Sequence, residues 1–357
     1  MTTVSADVLR QQLSAILESW GMSKEHVATT VEVMVETDLT GVDSHGVGMI
    51  PSYHDRLRRG FIKANPDIRV VRERGAVALI DADQSLGHPP SVQAMRLAID
   101  KARETGVAAV GVFNSNHFGA AGYYAGMASR EGMIGLALTN APVAMVVPTF
   151  GRDPMLSTNP IAFTAPAERN RPFSLDMATS TVAFGKVNIA RRAGKPLPDG
   201  WALDPEGQPQ TDSARAFQDR LLTPLGGTRE LGSHKGYGLA MMVEILCSPL
   251  TGAWVTARNP NPETEPSDRE NVGHFFLAID PGKFRDQSDF EQDMDRLMDM
   301  LRATPPADPA QPVLVAGDPE YAAYEQRSRS GIPMTETLFE EVREVCRASN
   351  APFVLEG

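Results

Sequence analysis

Apolar residues at Leu9, Leu13, Ile16, Leu17 and Trp20 recur at helical spacing behind Ser5, whose hydroxyl suits an N-cap, and Gly21 ends the run. A second helix is expected behind Ser23, with Val27, Val31, Met34 and Val35 on one face and Gly41 as its stop. A third is expected from about Gly46 to Arg59, ending at Gly60. Ile68–Arg72 and Val77–Ile80 are short β-like runs, and Arg74-Gly75 between them suits a hairpin. Helix and strand then alternate, over Ser91–Arg103, Val107–Phe113, Ala120–Arg130 and Met133–Leu138. Such repetition predicts an α/β sheet. Further strands are expected at Ile161–Thr164, Phe173–Leu175 and Gly273–Ile279, and Val313–Val315 is strand-like. Further helices are expected at Val182–Ala193, Gly236–Leu246, Asp289–Leu301 and Glu336–Arg347. Asn259–Asn271 and the proline-rich Thr304–Pro312 read as loops.

Composition narrows the class. A chain of 357 residues, 42% of them hydrophobic, has room for two domains or one interwoven α/β unit without disulfides or metal clips. The net charge of −11 argues against nucleic acid as a partner, because phosphate backbones need a basic face. A local basic pocket for a small anion is still compatible with it. No apolar run reaches the roughly 18 residues of a membrane helix. Met1–Leu17 lacks the basic-then-apolar order of a secretory signal. Cys247 and Cys346 stand far apart, which speaks against a disulfide framework or a cysteine zinc site. A cytoplasmic protein without membrane partners is the expectation.

Several familiar site motifs are missing. No G-x-G-x-x-G follows a strand, there is no P-loop, and Ser44 is not in a G-x-S-x-G elbow. The histidines form neither H-x-H nor H-E-x-x-H, so no metal ligand set is expected. What remains is a set of five polar, glycine-bearing breaks. Gly41–Gly46 holds Ser44 and His45 between two helices. Histidine titrates nearest working pH and suits proton transfer, while Asp43 or Ser44 can equally cap the next helix. Asn114–Gly119, with Asn116 and His117, follows a strand, and strand carboxyl ends are where α/β sheets bind ligands. It reads equally as a turn whose Asn side chains satisfy backbone groups. Ser233–Gly238 puts His234 and Lys235 before an apolar helix, a place for a phosphate or carboxylate, or simply a solvated loop. Leu175–Thr181 offers hydroxyls and N–H groups for ribose or phosphate, or an ordinary cap, and Gly317–Glu320 is a turn. Together they point to a polar site drawn from much of the chain. A metal-dependent lyase or hydrolase built on His45, His117 and His234 is an alternative of a different class.

The ordered set of motifs carries a resemblance. It comprises Asp43-Ser44-His45-Gly46, His117-Phe118-Gly119, Thr158-Asn159-Pro160-Ile161-Ala162, Asp176-Met177-Ala178-Thr179-Ser180, Gly185-Lys186, Leu197-Pro198-Asp199-Gly200-Trp201-Ala202, His234-Lys235-Gly236-Tyr237-Gly238-Leu239 and Gly317-Asp318-Pro319. Along nearly the whole chain the sequence resembles the malate/L-lactate dehydrogenase family of NAD(P)-dependent oxidoreductases, which is unrelated to Rossmann-type dehydrogenases. The resemblance implies a non-Rossmann α/β fold with a mixed sheet flanked by helices and a helical N-terminal region. It implies a helical unit of residues 1–72 packed with 317–357, an α/β dinucleotide-binding unit of 73–316, and a homodimer. It implies NAD or NADP as cofactor and a small 2-oxo or 2-hydroxy acid as substrate, a cyclic imino acid being the alternative within the family. His45 is then the proton donor, supported by Ser44, with His117 as acid/base or substrate contact. Asn116, Tyr53, Thr158 and Asn159 fall on the substrate side. Cofactor contacts fall on Asn140, Asp176, Met177, Ala178, Thr179, Ser180, His234, Lys235, Gly317, Asp318 and Pro319. Two positions stand apart. Many members have an arginine where this chain has Met49, which leaves the substrate carboxylate without its usual two-pronged partner. The imine-reducing branch has an acidic residue where this chain has Lys186, which tilts the reading toward a 2-oxo acid.

Overall fold

The computed structural model describes residues 2–257 and 269–356. A short strand, β1 (Thr2–Val4), leads into α1 (Ala6–Ser19) and α2 (Lys24–Leu39). Ser5 and Ser23 cap these helices, each accepting an N–H at 3.3 Å, from Val8 and His26. The third helix departs from expectation. Val47–Met49 form a 3₁₀ turn, and α3 spans only Ile50–Arg58, with Pro51 in its first turn. Proline has no N–H to donate, so an α-helix cannot run unbroken through this point and starts afresh around it.

The hairpin of β2 (Arg69–Arg74) and β3 (Val77–Asp81) turns at Gly75. β2 is exposed throughout and carries Arg69, Arg72, Glu73 and Arg74, charges that protect a sheet edge. α4 (His88–Thr105) begins three residues before the expected Ser91, because Pro89 and Pro90 fit a first turn. There follow β4 (Val107–Ser115), α5 (Ala121–Arg130), β5 (Ile134–Thr139), β6 (Ile161–Ala165), β7 (Phe173–Met177) and α6 (Phe184–Arg192), all close to expectation. α7 (Ser213–Asp219) was not legible in the pattern, and Asp212 caps it by accepting the N–H groups of Ala214 and Arg215. α8 (Ser233–Cys247) starts three residues before Gly236, so His234 and Lys235 lie in its first turn rather than ahead of it.

β8 (Val272–Ile279) and α9 (Gln287–Arg302) come next. Thr304–Pro312 is irregular, as expected, whereas residues 259–268 of the expected loop Asn259–Asn271 lie outside the described residues. No strand forms at Val313–Val315. The Val315 N–H goes to the Asp318 carboxylate at 2.8 Å, and Leu314 is exposed. Gly317–Glu320 is more than a turn, since it opens α10 (Asp318–Ser330). β9 (Ile332–Met334) and α11 (Glu336–Ser349) complete the described chain.

Seven strands form one mixed sheet in the order β2-β3-β4-β8-β5-β6-β7. Only β3 and β4 pair in parallel, and β8 enters between β4 and β5, antiparallel to both. This is the mixed α/β sheet with helices on its faces that the sequence predicted. Alternation along β8 divides the faces. Phe276 and Ala278 join the core under α4 and α5, while Phe275 joins Val243 and Cys247 of α8 on the other side. A separate core gathers α1, α2 and α3 with β9 and α11, and β1 pairs with β9. Gln12 stitches it, donating to Pro352 O at 3.0 Å and accepting Val354 N–H at 2.7 Å. A third, smaller core lies under α6 and α7. Among the described residues no helix is long and apolar enough to cross a membrane.

Candidate functional site

β4 and β5 point their carboxyl ends the same way, and antiparallel β8 begins at that end. His274, near the start of β8, bridges them. Its Nε2 lies 2.8 Å from Ser115 Oγ at the end of β4, and its Nδ1 lies 2.7 Å from Thr139 Oγ1 at the end of β5. The ring stacks on Phe118 with centroids 4.6 Å apart. The segment leaving β4 carries His117, whose ring stacks on that of His45 at 5.4 Å. The two histidines named from separate motifs therefore meet.

Each imidazole is held by a hydroxyl. Ser44 Oγ lies 2.8 Å from His45 Nδ1, and Tyr53 Oη lies 2.7 Å from His117 Nδ1. The Gly119 N–H also donates to His117 Nδ1, at 3.3 Å. Tyr53 is fully buried, and burial pushes its hydroxyl up, so it stays protonated. Two donors on Nδ1 make that nitrogen an acceptor and put the proton of neutral His117 on Nε2. Both histidines are partly buried, with some of their surface open. Desolvation lowers the pKa of His45 below 6.5. It lowers His117 much further, helped by the positive charge that His45, His88, Arg56 and His274 can present.

The other predicted residues fall into connected groups. Asn116 is buried, and its Nδ2 donates to the carbonyls of Phe61, Gln84 and Ser85 at 3.0–3.1 Å. Its Nδ2 is thus spent on neighbouring backbone, while its buried Oδ1 finds no hydrogen-bond partner among the described residues. Asn140 donates to Ser248 Oγ at 2.8 Å, Ser248 donates to Glu244 Oε1 at 2.9 Å, and Glu244 Oε2 accepts from Asn159 Nδ2 at 2.9 Å. Thr179 Oγ1 bonds the carbonyls of Thr158 and Asn159 at 3.0 and 2.9 Å, and Ser180 Oγ that of Val182 at 2.8 Å. The segment after β7 and the segment before β6 are thereby tied to α8.

Asp176 sits at the exposed end of β7 and accepts the Gly122 N–H from the first turn of α5 at 2.7 Å. Crowding by protein raises its carboxyl to about 6, with Glu320 of α10 adding to the rise. Gly119 and Gly122 lie on one short connector, so it runs from the His45 backbone to Asp176. Met177 and Ala178 are partly buried beside it. His234 and Lys235 are exposed, with His234 Nδ1 2.9 Å from an Arg229 nitrogen. Gly317 packs against Ser174 of β7, Asp318 is held by Arg302 at 2.7 Å, and Pro319 fills the first turn of α10. α8 and α10 both start at a glycine of positive φ, Gly232 and Gly317, with no side-chain cap. Most of their first N–H groups are already bonded locally: Ser233 N–H donates to Thr228 O at 2.9 Å, Lys235 N–H to Gly232 O at 2.8 Å and Asp318 N–H to Val315 O at 3.0 Å.

The histidines do not assemble a metal centre. Among the described residues no three His, Cys, Asp or Glu side chains are grouped to hold an ion, and the set His45, His117 and His234 does not come together. Met49 packs against the N-terminal core. Arg56, one turn after Tyr53, pairs with Glu270, and its charge acts on both Tyr53 and His117. The sequence reading missed Asp38, His88, Glu244, His274, Arg56 and Arg327. Glu244 and His274 did carry a signal, each being a single ionisable residue within an apolar run.

Two stacked, partly exposed imidazoles beside the strand carboxyl ends of a mixed sheet suit proton transfer. The chain belongs to the malate/L-lactate dehydrogenase family, which it matches over residues 4–343. This is a family of NAD(P)-dependent oxidoreductases acting on 2-hydroxy acids. It is 39% identical over 345 residues to a malate dehydrogenase of Pyrococcus horikoshii, covering 96% of this chain and 94% of that one. It is 39% identical over 338 residues to an L-sulfolactate dehydrogenase of Methanothermobacter thermautotrophicus, covering 94% of each. The fold is similar to a malate dehydrogenase structure from Entamoeba histolytica, with a TM-score of 0.93, 32% identity and 99% of each chain covered.

Proposed function

We propose that this protein catalyses reversible hydride transfer between NAD or NADP and the C2 carbon of a small 2-hydroxy acid of the malate or sulfolactate kind, with His45 as proton donor and acceptor. The observation that carries this reading is the Ser44-held imidazole stacked on the Tyr53-held one, in a chain of this family. When bound, the nicotinamide supplies or takes the hydride. Every other task falls to side chains. Ser44 Oγ accepts from His45 Nδ1–H, which leaves Nε2 to give a proton to the substrate oxygen in reduction and to take it back in oxidation. His117 Nε2–H holds that oxygen or the carboxylate in line. With Met49 in place of a cation, Arg56 is the charge near the imidazoles that favours an anionic substrate.

The residues suit the cofactor. The exposed Lys235 in the first turn of α8, at the positive end of the helix dipole, suits phosphate, and the Asp176 carboxylate beside α10 suits ribose hydroxyls. A homodimer accords with α8, an apolar helix whose Met241, Met242 and Ile245 are nevertheless exposed in the single chain.

The test is nicotinamide absorbance with both cofactors against a panel of 2-oxo acids. His45→Ala lowers kcat about 10²- to 10⁴-fold while cofactor binding survives. In the wild type, kcat/KM for reduction falls as pH rises through a group titrating below 6.5, and oxidation gains through the same group. Near-wild-type turnover in His45→Ala removes the role given to His45. Failure to bind either cofactor removes the dehydrogenase reading.

A further inference from the structure

The space beside Gly46 is occupied. A Cβ built there would lie 2.0 Å from Asp38 Oδ1 and 2.4 Å from Oδ2, so no side chain fits unless Asp38 leaves. Asp38 is 1% exposed at the C-terminal end of α2, and its Oδ2 accepts the Val47 N–H at 2.8 Å. The carboxyl therefore grips the turn carrying Ser44 and His45 from the far side, just behind His45. Arg327 of α10 grips the near side, donating to the Asp38 carbonyl at 2.7 Å and pairing with the Asp43 carboxylate. Ser44, which orients the imidazole directly, is exposed. The aim of the ring thus depends on where the backbone is held.

We propose that Asp38 is the positioning residue of His45: its buried carboxyl, seated against Gly46 and bonded to Val47 N–H, fixes the turn that aims the imidazole. The inference rests on His45 being the proton donor. A misplacement of about 1 Å in a reacting group can cost on the order of a hundredfold in rate. Accepting one N–H needs no negative charge. Burial raises the Asp38 carboxyl to about 8, against the Val47 N–H bond, which favours the carboxylate, with Asp43 of the turn adding to the rise and Arg327 of α10 opposing it. An asparagine offers the same acceptor in the same place.

The experiment compares Asp38→Ala and Asp38→Asn, each alone and combined with His45→Ala, by kcat, KM and the cofactor dissociation constant across pH. Asp38→Ala is expected to lower kcat by about ten- to a hundredfold, with KM and cofactor affinity little changed. Asp38→Asn keeps most of the neutral-pH kcat. In the His45→Ala background neither substitution lowers kcat further, because Asp38 acts through that ring. A near-wild-type Asp38→Ala beside an inactive His45→Ala overturns this proposal alone. So does an additive loss in the double variant. If the alanine variant does not fold, a loss of kcat in Asp38→Asn as large as that expected of Asp38→Ala overturns it. A fully active His45→Ala overturns the reading beneath it.

Discussion

His88 offers a direct test of how the core responds to acid. It opens α4, is fully buried, stands edge-on to Tyr53 at 5.7 Å, and neither ring nitrogen finds a partner among the described residues. Burial lowers its pKa from 6.5 to about 3. Between those values the unfolded chain takes up a proton that the native ring refuses, so stability falls as pH falls, by about 1.4 kcal/mol per pH unit. Two units below 6.5 the cost is about 2.7 kcal/mol, a large share of a typical 5–15 kcal/mol. His88→Leu removes the titration and loses no hydrogen bond. Urea unfolding of both proteins, followed by circular dichroism near neutrality and at about pH 4.5, reads the difference. The variant should gain about 2.7 kcal/mol on the wild type over that span. The difference is needed because other groups titrate too. His274, also near 3, adds to the acid loss. Asp38 near 8 and Asp176 near 6 act oppositely, since a raised carboxyl gives stability in acid that is lost as pH rises. These terms cancel between the two proteins. A difference independent of pH would refute the reasoning and mean that the His88 ring is charged or solvated in the native state.

Two further outcomes follow from the hydrogen bonds around the site. Glu244→Ala strands the donors Ser248 Oγ and Thr256 N–H and removes one of the two acceptors of Asn159 Nδ2, which keeps the Ala240 carbonyl, and should cost about 3–5 kcal/mol in urea unfolding, with Glu244→Gln losing less. Equal stability of the alanine variant would mean that the network carries no load. Tyr53→Phe should lower kcat about tenfold while costing only about 1 kcal/mol of stability, because it leaves His117 Nδ1 held by the longer Gly119 N–H bond alone; an unchanged kcat would separate Tyr53 from the chemistry.

The elements that were legible in the sequence are those whose cause is local. α1 and α2 announce themselves by a serine cap and an apolar stripe one helix face wide. α10 buries no residue fully and is mostly polar, so it has no stripe to read, and its glycine start looks like a turn. β1 and β9 are three residues each, too short to show alternation. The place of β8 between β4 and β5 is a non-local choice that no window contains. The site divides in the same way. Glycine-bracketed His45 and His117 stand out, because catalytic loops need polar groups where the backbone turns. Asp38 does not, being one more acid near the end of a helix until the fold lays Gly46 against it. Asn116, Asn140 and Asn159 stood out as polar residues in the breaks between elements. Their amides bind their own backbone and neighbours, a use that composition cannot distinguish from ligand contact.

The position of β8 sets a timetable for synthesis. β4 and β5 are finished by residue 139, yet the strand between them is not begun until residue 272. At common translation rates that gap lasts on the order of ten seconds, during which two apolar strands lack their shared neighbour. A ribosome-bound chain must shelter those edges, in non-native contacts or on a chaperone, until Val272–Ile279 emerges. His274 arrives with that strand and joins Ser115 to Thr139. The floor of the site is therefore laid late, and a nascent chain closes its sheet and seats these strand ends in one step.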